Sequence, residues 1–154
     1  MKYIVILVLI NIYINAQELK IQANSFSADE KSGISIFLGD VNILKHNDEI
    51  NASKVTIYTD ENNKPIKFIA QEKVSFYIET KQKIIYMGKA EKVIFIPAEK
   101  EYHFYGNVHL LQVNEKKEIR GDEVLLNITE GKAYAKGFER EPVLMIFNIE
   151  ESEE

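Results

Sequence analysis

The chain has 154 residues, of which 45% are hydrophobic and 28% are charged, and it contains no cysteine. This length predicts one domain, and the apolar fraction excludes a wholly disordered chain. The formal net charge of −5 argues against a protein that coats nucleic acid, because such proteins usually carry an excess of basic residues. The lack of cysteine excludes disulfide frameworks, thiolate zinc sites and cysteine nucleophiles.

Residues 1–16 have the pattern of a secretory signal peptide. Lys2 gives a positive start, residues 3–13 are nearly all apolar, and the small Ala16 precedes a polar stretch that begins at Gln17. The alternatives are a retained membrane anchor and a buried strand, but a spanning helix needs about 20 apolar residues. We therefore expect cleavage after Ala16, export of the chain, a mature domain over residues 17–149 and an acidic tail over residues 150–154.

Beyond residue 17 the sequence has the pattern of β-strands almost without interruption. Apolar residues recur at every second position, and β-branched and aromatic types dominate among them. Short polar segments that favour hairpin turns separate the runs, at residues 29–32, 46–49, 60–64, 80–83, 114–117 and 129–131. No window favours a helix over a strand, so the sequence predicts an all-β, antiparallel domain.

Two short motifs alternate along the chain. The first has a small or kinked centre and occurs at Gly39-Asp40-Val41, Glu72-Lys73-Val74 and Gly106-Asn107-Val108, with a degraded fourth copy at Ala135-Lys136-Gly137. In the second, a small residue is followed three positions later by an apolar one, as from Ala52 to Val55 and from Gly121 to Val124. A step of three changes the strand's parity, so a β-bulge is needed to keep one face inward. Bulges at matching places would bend the whole sheet along one line.

These motifs resemble the LptA/OstA-like family of periplasmic lipopolysaccharide-transport proteins. The segments at residues 50–57 and 105–110 carry the resemblance best, and it covers roughly residues 17–149, although the copies at 72–74 and 137–139 depart from the pattern. The resemblance implies a twisted, V-shaped β-jellyroll, open at both ends, that holds lipid acyl chains between its two walls. It also implies stacking end to end with like-folded domains of an inner-membrane partner and an outer-membrane translocon.

The alternating residues on one face of the predicted strands form the predicted lipid groove. Its members are Phe37, Val41, Ile43, Ile57, Phe68, Val74, Phe76, Phe95, Phe104, Val108 and Leu110, and Ile66 shares their parity. Periodicity alone favours a dry sandwich core, in which each side chain contributes roughly 1.5–3 kcal/mol on burial. The resemblance favours an apolar groove instead, because an acyl chain gains about 0.8 kcal/mol for each buried methylene.

Both ends of the predicted sheet are expected to expose unpaired strand edges. We expect a first strand over Leu19 to Phe26, with Ile21 and Ala23 on its edge, and a last strand over Val143 to Ile149, with Val143, Met145 and Phe147 on its edge. Unprotected edges invite pairing with another chain, so we expect head-to-tail homo-oligomers. Lysines near strand ends are possible phosphate contacts, although most are expected to be solvated turn charges: Lys45, Lys81, Lys83, Lys100, Lys116 and Lys117.

The sequence offers no site for catalysis. His46 falls in a turn, while His103 and His109 have the outward parity and are too far apart along a strand to share a metal ion. No glycine-rich loop joins a strand to a helix. We expect that the protein is not an enzyme and that it binds no cofactor, metal or nucleic acid. Two hypotheses remain: a non-catalytic lipopolysaccharide carrier, with the membrane-anchored partner of the same fold as a variant, and a structural β-repeat module that binds proteins.

Overall fold

The computed structural model describes residues 18–150, and the predicted signal peptide lies outside them, as does most of the predicted tail. Ten β-strands fill this range: β1 (Leu19–Gln22), β2 (Ser25–Asp29), β3 (Ile34–Lys45), β4 (Asp48–Thr59), β5 (Pro65–Glu79), β6 (Ile85–Ile96), β7 (Glu101–Gln112), β8 (Lys117–Asn127), β9 (Lys132–Lys136) and β10 (Leu144–Ile146). The prediction of an all-β domain is confirmed for these residues. No helix that could span a bilayer occurs in this part of the chain.

All ten strands belong to one antiparallel sheet that does not close. Strands β3 to β8 pair with their sequence neighbours through hairpin turns. Each edge consists of two short strands, because β1 and β2 both pair with β3 while β9 and β10 both pair with β8. The predicted first strand is therefore interrupted at Ala23 and Asn24, and the predicted last strand is shorter than expected and covers only Leu144–Ile146.

A line of bulges crosses the sheet at the two motifs found in the sequence. In the five pairings from β3–β4 to β7–β8, the register shifts by one residue, and the additional residue always lies on β3, β5 or β7. The additional residue thus belongs to the first motif, whereas the sequence analysis placed the bulge in the second. On β4 the step from buried Ala52 to buried Val55 is the complementary half of the same bend.

The bulges depend on pairs of residues in the left-handed region. Gly39 and Asp40 have φ angles of 79° and 43°, and Gly106 and Asn107 have φ angles of 78° and 45°. Glu72 and Lys73 adopt the same conformation, at 65° and 50°, although the second copy lacks the glycine. The departure from the pattern at residues 72–74 therefore leaves the bend intact, at the cost of holding two non-glycine residues at positive φ.

The bend divides the sheet into two halves that face each other, which we call the first and second walls. The first wall contains residues 41–45, 48–52, 74–79, 85–90, 108–112 and 117–121, with β1 and β10 on its edges. The second wall contains residues 34–38, 54–59, 65–71, 92–96, 101–105 and 123–127, with β2 and β9 on its edges. The core lies between them, and the predicted jellyroll class is confirmed.

The predicted turns agree with the structure, but the structure also contains a turn that was not predicted between β6 and β7, and it exposes one residue of inward parity. Residues 97–100 form an additional turn between β6 and β7, which the sequence analysis did not separate from the neighbouring strands. Ile66 shares the inward parity but is 47% exposed, because it lies at the start of β5, where the pairing with β4 is irregular. A residue at a strand end lacks the facing wall that would bury it.

The bend line gives a first prediction. Gly106→Ala would hold a non-glycine residue at positive φ, and its Cβ would collide with the Glu91 side chain. Gly131 has a similar φ of 64°, but a Cβ at this position would have nothing within 4 Å. We expect Gly131→Ala to lower the free energy of unfolding by about 1 kcal/mol and Gly106→Ala to lower it by about 2 kcal/mol or more. Urea unfolding measures both, and equal losses would show that the bend does not need a glycine.

Candidate functional site

The structure brings all eleven predicted groove residues into the space between the walls. Nine of them are buried: Val41, Ile43, Ile57, Val74, Phe76, Phe95, Phe104, Val108 and Leu110. Phe37 and Phe68 are partly buried and pack against the same core. The period-two pattern, corrected at each bulge, thus places one continuous apolar surface on the inner face of both walls.

Aromatic rings pack both between the walls and within the second wall. The Phe76 ring of the first wall lies 4.5 Å from the Phe104 ring of the second wall. Within the second wall, the Phe95 ring stacks on Tyr102 at 4.5 Å and lies 6.0 Å from the Phe68 ring. Aromatic pairs add about 0.5–1.5 kcal/mol beyond the area that they bury, so the Phe76–Phe104 pair helps to hold the walls together and the other two pairs stabilise the inner face of the second wall.

An apolar cavity lies between the walls, near the first-strand edge of the sheet. It has a free volume of about 40 Å³ and takes five residues from each wall: Leu19, Ile43, Lys45, Asp48 and Ile50 from the first, and Phe68, Ala70, Val93, Phe95 and Tyr102 from the second. A cavity of this size has room for a few methylene groups rather than a whole acyl chain. A longer apolar ligand therefore has to separate the walls.

A carboxylate lines this apolar cavity. Asp48 begins β4, and its Oδ1 accepts a hydrogen bond of 2.8 Å from the backbone N–H of Glu79. Its Oδ2 accepts a longer one, 3.4 Å, from the Tyr102 hydroxyl on the opposite wall. Desolvation by burial raises the pKa of Asp48, while the Glu79 N–H, Lys45, Tyr102 and His46 each lower it. Burial and the nearby Asp48 raise the pKa of Tyr102 well above its usual value, so its hydroxyl stays protonated and donates.

Four of the six strand-end lysines singled out in the sequence come together beside the cavity. We call Lys45, Lys81, Lys83 and Lys100 the lysine rim, because they border one opening of about 420 Å³ at the tips of the two walls, together with His46, Asp48 and Glu79. Lys45 Nζ lies 5.2 Å from the centre of the Phe95 ring, and Lys83 pairs with Glu79 at 3.1 Å. Four ammonium groups against two carboxylates leave an excess of positive charge where the apolar space opens.

Comparison with known proteins assigns the family. Residues 20–132 match the family model described as LptA/(LptD N-terminal domain) LPS transport protein. The chain belongs to this family. It is also similar to a solved structure, LptH from Pseudomonas aeruginosa, which is described as the LptA-homologous periplasmic component of that organism's lipopolysaccharide transport device. The TM-score is 0.77 at 15% identity, over 86% of this chain and 96% of LptH. A comparison with curated proteins gives no match.

Family membership confirms the resemblance that the motifs indicated, and the LptH match confirms the fold. The sequence analysis did not single out Lys45 and Asp48 as cavity residues. Both lie at inward parity, since Lys45 continues the alternation of Val41 and Ile43, and Asp48 precedes Ile50 by two positions. The alternation of inward and outward residues therefore indicated that both side chains face the interior, but the polar segment at residues 46–49 suggested a solvated turn.

The predicted assembly residues lie at the two sheet edges but not all within strands. Ile21 is in β1 and Met145 is in β10, whereas Ala23 lies in the gap between β1 and β2. Val143 precedes β10 and Phe147 follows it. The side chains of Val143, Met145 and Phe147 are 37%, 51% and 52% exposed, so this short edge presents an apolar surface to solvent.

One group of possible metal ligands lies on the outer face of β7 and its preceding turn. Donor atoms of Glu99, Glu101 and His103 lie within 4.8 Å of one another. His103 Nε2 contacts Glu101 Oε2 at 3.1 Å, which an ordinary hydrogen bond between side chains two positions apart on a strand explains. This group was not predicted from the sequence, because Glu99 lies in the additional turn at residues 97–100.

The half-buried Asp48 carboxylate gives a second prediction. Because the pKa of Asp48 is raised on folding, the folded protein binds more protons than the unfolded chain between the two pKa values. The free energy of unfolding of the wild type therefore contains a contribution that falls as the pH rises through the raised pKa. Asp48→Asn lacks this contribution. We expect its stability relative to the wild type to be greater at about pH 7 than at about pH 4, as measured by urea unfolding. A difference that does not change with pH would contradict the raised pKa.

Proposed function

We propose that this protein is a non-catalytic periplasmic carrier that moves lipopolysaccharide between the inner and outer membranes, with the acyl chains held between its two walls. Membership of a lipopolysaccharide-transport family supports the substrate. The signal-peptide pattern at residues 1–16 and the likeness to the periplasmic LptH support the location. The predicted cleavage after Ala16 belongs to the same proposal.

The observation that carries the proposal is the arrangement of an apolar interior beside a cationic opening. The inner faces of both walls are apolar along the bend, and the lysine rim lies where the walls part. Lipopolysaccharide combines several acyl chains with a phosphorylated head group. Its acyl chains suit the interior, and its phosphates suit ammonium groups that remain in contact with water.

The energetics require the walls to move apart. The free cavity holds only about 40 Å³, so acyl chains have to replace wall-to-wall contacts such as that between Phe76 and Phe104. Each methylene that leaves water gains about 0.8 kcal/mol, and the displaced side chains stay in contact with the hydrocarbon. The area of apolar surface that is buried therefore changes little when lipid replaces the contacts between the walls. A carrier that takes up lipid and releases it again needs such a small difference.

A structural module with a dry core is the second hypothesis. The close contact between the Phe76 and Phe104 rings across the walls and the small free volume favour it. The inward placement of Lys45 and Asp48 weighs against it, because a core that never receives a ligand gains nothing from charged groups at inward positions. The membrane-anchored partner of the same fold is a further alternative, and it differs from the carrier in keeping residues 1–16 as an anchor.

The sheet edges support the proposal of stacking. β10 pairs with β8 through only three residues, and no other strand within residues 18–150 pairs with its outer edge, while β1 and β2 form the opposite edge of the sheet. The last strand of one copy would add to the first strand of the next copy, or to a like-folded domain of the inner-membrane partner or outer-membrane translocon. A contact between two different edges does not close, so it would give rods rather than a fixed dimer.

The groove gives a third prediction. Phe104→Glu places a carboxylate at a position that is fully buried between the walls, where it has to be desolvated or displace lipid. We expect binding of fluorescent lipopolysaccharide, measured by anisotropy, to weaken by about tenfold or more, which corresponds to about 1.4 kcal/mol. Phe68→Glu, at a partly buried position that lines the cavity, should weaken binding in the same direction.

The control for these variants is Leu111→Glu. Leu111 is on the same strand as Phe104 but is 37% exposed on the outer face, so it should retain wild-type binding. Circular dichroism establishes that each variant is folded. Wild-type affinity in folded Phe104→Glu and Phe68→Glu proteins would remove the groove from the proposal.

The exposed edge gives a fourth prediction. A chain that ends at Glu141 lacks β10 and the apolar residues around it, including Val143 and Phe147. In analytical ultracentrifugation, the mature protein should form larger assemblies as its concentration rises, and the shortened form should remain monomeric. If both stay monomeric at high concentration and bind like-folded partner domains equally well, the edge at β10 is not the docking surface.

A further inference from the structure

The Asp48 carboxylate has hydrogen-bonding capacity that the protein does not fill. A carboxylate offers about four acceptor sites, and Asp48 receives one good hydrogen bond, from the Glu79 N–H, and one long contact from Tyr102. Among residues 18–150, no ammonium group lies within ion-pair distance of it. Lys45, the nearest cation in its sequence, lies over the Phe95 ring instead.

The surroundings define what could occupy the remaining acceptor sites. Apart from Lys45, Asp48 and Tyr102, the cavity is lined by aliphatic and phenylalanine side chains. A ligand in this cavity must therefore be hydrocarbon over most of its length, with a hydrogen-bond donor at the level of Asp48. A cationic donor would have to pass the lysine rim, which repels it. A neutral hydroxyl on an acyl chain meets both conditions.

The depth of Asp48 gives the position of this hydroxyl along the chain. Asp48 follows the turn at residues 46–47 and borders both the apolar cavity and the opening formed by the lysine rim. An acyl chain whose head group remains among the lysines passes Asp48 within its first few carbon atoms. The hydroxyl then has to lie close to the carbonyl end.

We propose that Asp48 is a specificity-determining residue that accepts a hydrogen bond from a hydroxyl near the carbonyl end of a bound acyl chain, so that the protein selects hydroxylated over plain acyl chains. This inference rests on the proposed function, because it assigns a role within the same groove. The Tyr102 hydroxyl holds the carboxylate at the wall-to-wall boundary in the absence of a ligand, and the hydroxyl of the acyl chain takes its place when the walls part.

The test compares two probes that differ in one oxygen atom. N-(β-hydroxymyristoyl)glucosamine phosphate and N-myristoylglucosamine phosphate are titrated into the mature protein by isothermal titration calorimetry. A hydrogen bond to a charged acceptor in an apolar site predicts about tenfold tighter binding of the hydroxylated probe, which corresponds to about 1.4 kcal/mol. Equal affinity for the two probes would overturn the assignment of Asp48 and leave the proposed carrier function intact. Failure to bind either probe would count against both.

Three variants separate recognition of the ligand from a structural role. Asp48→Leu should remove the preference while still binding the plain probe, and Asp48→Asn, which keeps an acceptor for the Glu79 N–H, should reduce the preference only in part. Tyr102→Phe removes the competing donor and should preserve or increase the preference. If Tyr102→Phe and Asp48→Leu change the two affinities in the same way, Asp48 acts only through its contact with Tyr102, and the inference is wrong. If Asp48→Leu does not fold, the wild-type ratio and the other two variants still decide.

Discussion

The left-handed residue pairs in the middle of β3, β5 and β7 impose the bend on which the rest of the structure depends. An antiparallel sheet of this length would otherwise expose one apolar face to water. Each pair adds one residue to its strand and shifts the register against both neighbours. Because the shifts fall at the same level in successive strands, the sheet folds over itself and each half buries the inner face of the other.

This construction forms the core of the protein and suits the proposed role of the interior in holding lipid. The two walls contact each other through side chains such as Phe76 and Phe104, and no backbone hydrogen bonds of the ladder cross between them. Separating the walls therefore costs side-chain contacts but leaves the strand pairing intact. In the proposed carrier, an acyl chain replaces those contacts with similar ones, so the same apolar surface serves stability without lipid and binding with lipid.

The sequence predicts the inner face because alternation is a local property. Val108 and Leu110 on β7, or Val124 and Leu126 on β8, show which side of a strand is buried, and the structure buries all four. The step from Ala52 to Val55 shows that the parity changes. The position of the additional residue depends on how neighbouring strands pair. This pairing cannot be predicted from the alternation within one strand.

Contacts between the walls are harder to predict. Asp48 and Tyr102 are far apart in the sequence and three strands apart in the sheet, and they meet only because the bend and twist bring the tips of the walls together. The gathering of Lys45, Lys81, Lys83 and Lys100 has the same origin. Each is a turn or strand-end charge when it is considered alone, and the rim exists only in the folded sheet.

We propose above all that the space between the walls holds lipid acyl chains. The most direct test is to purify the mature protein from the periplasm under non-denaturing conditions and to identify the bound lipid by mass spectrometry. We expect lipid A-containing molecules in stoichiometric proportion to the protein. Protein recovered folded and free of lipid A, from cells that make lipopolysaccharide, would contradict the claim and favour a structural module with a dry core.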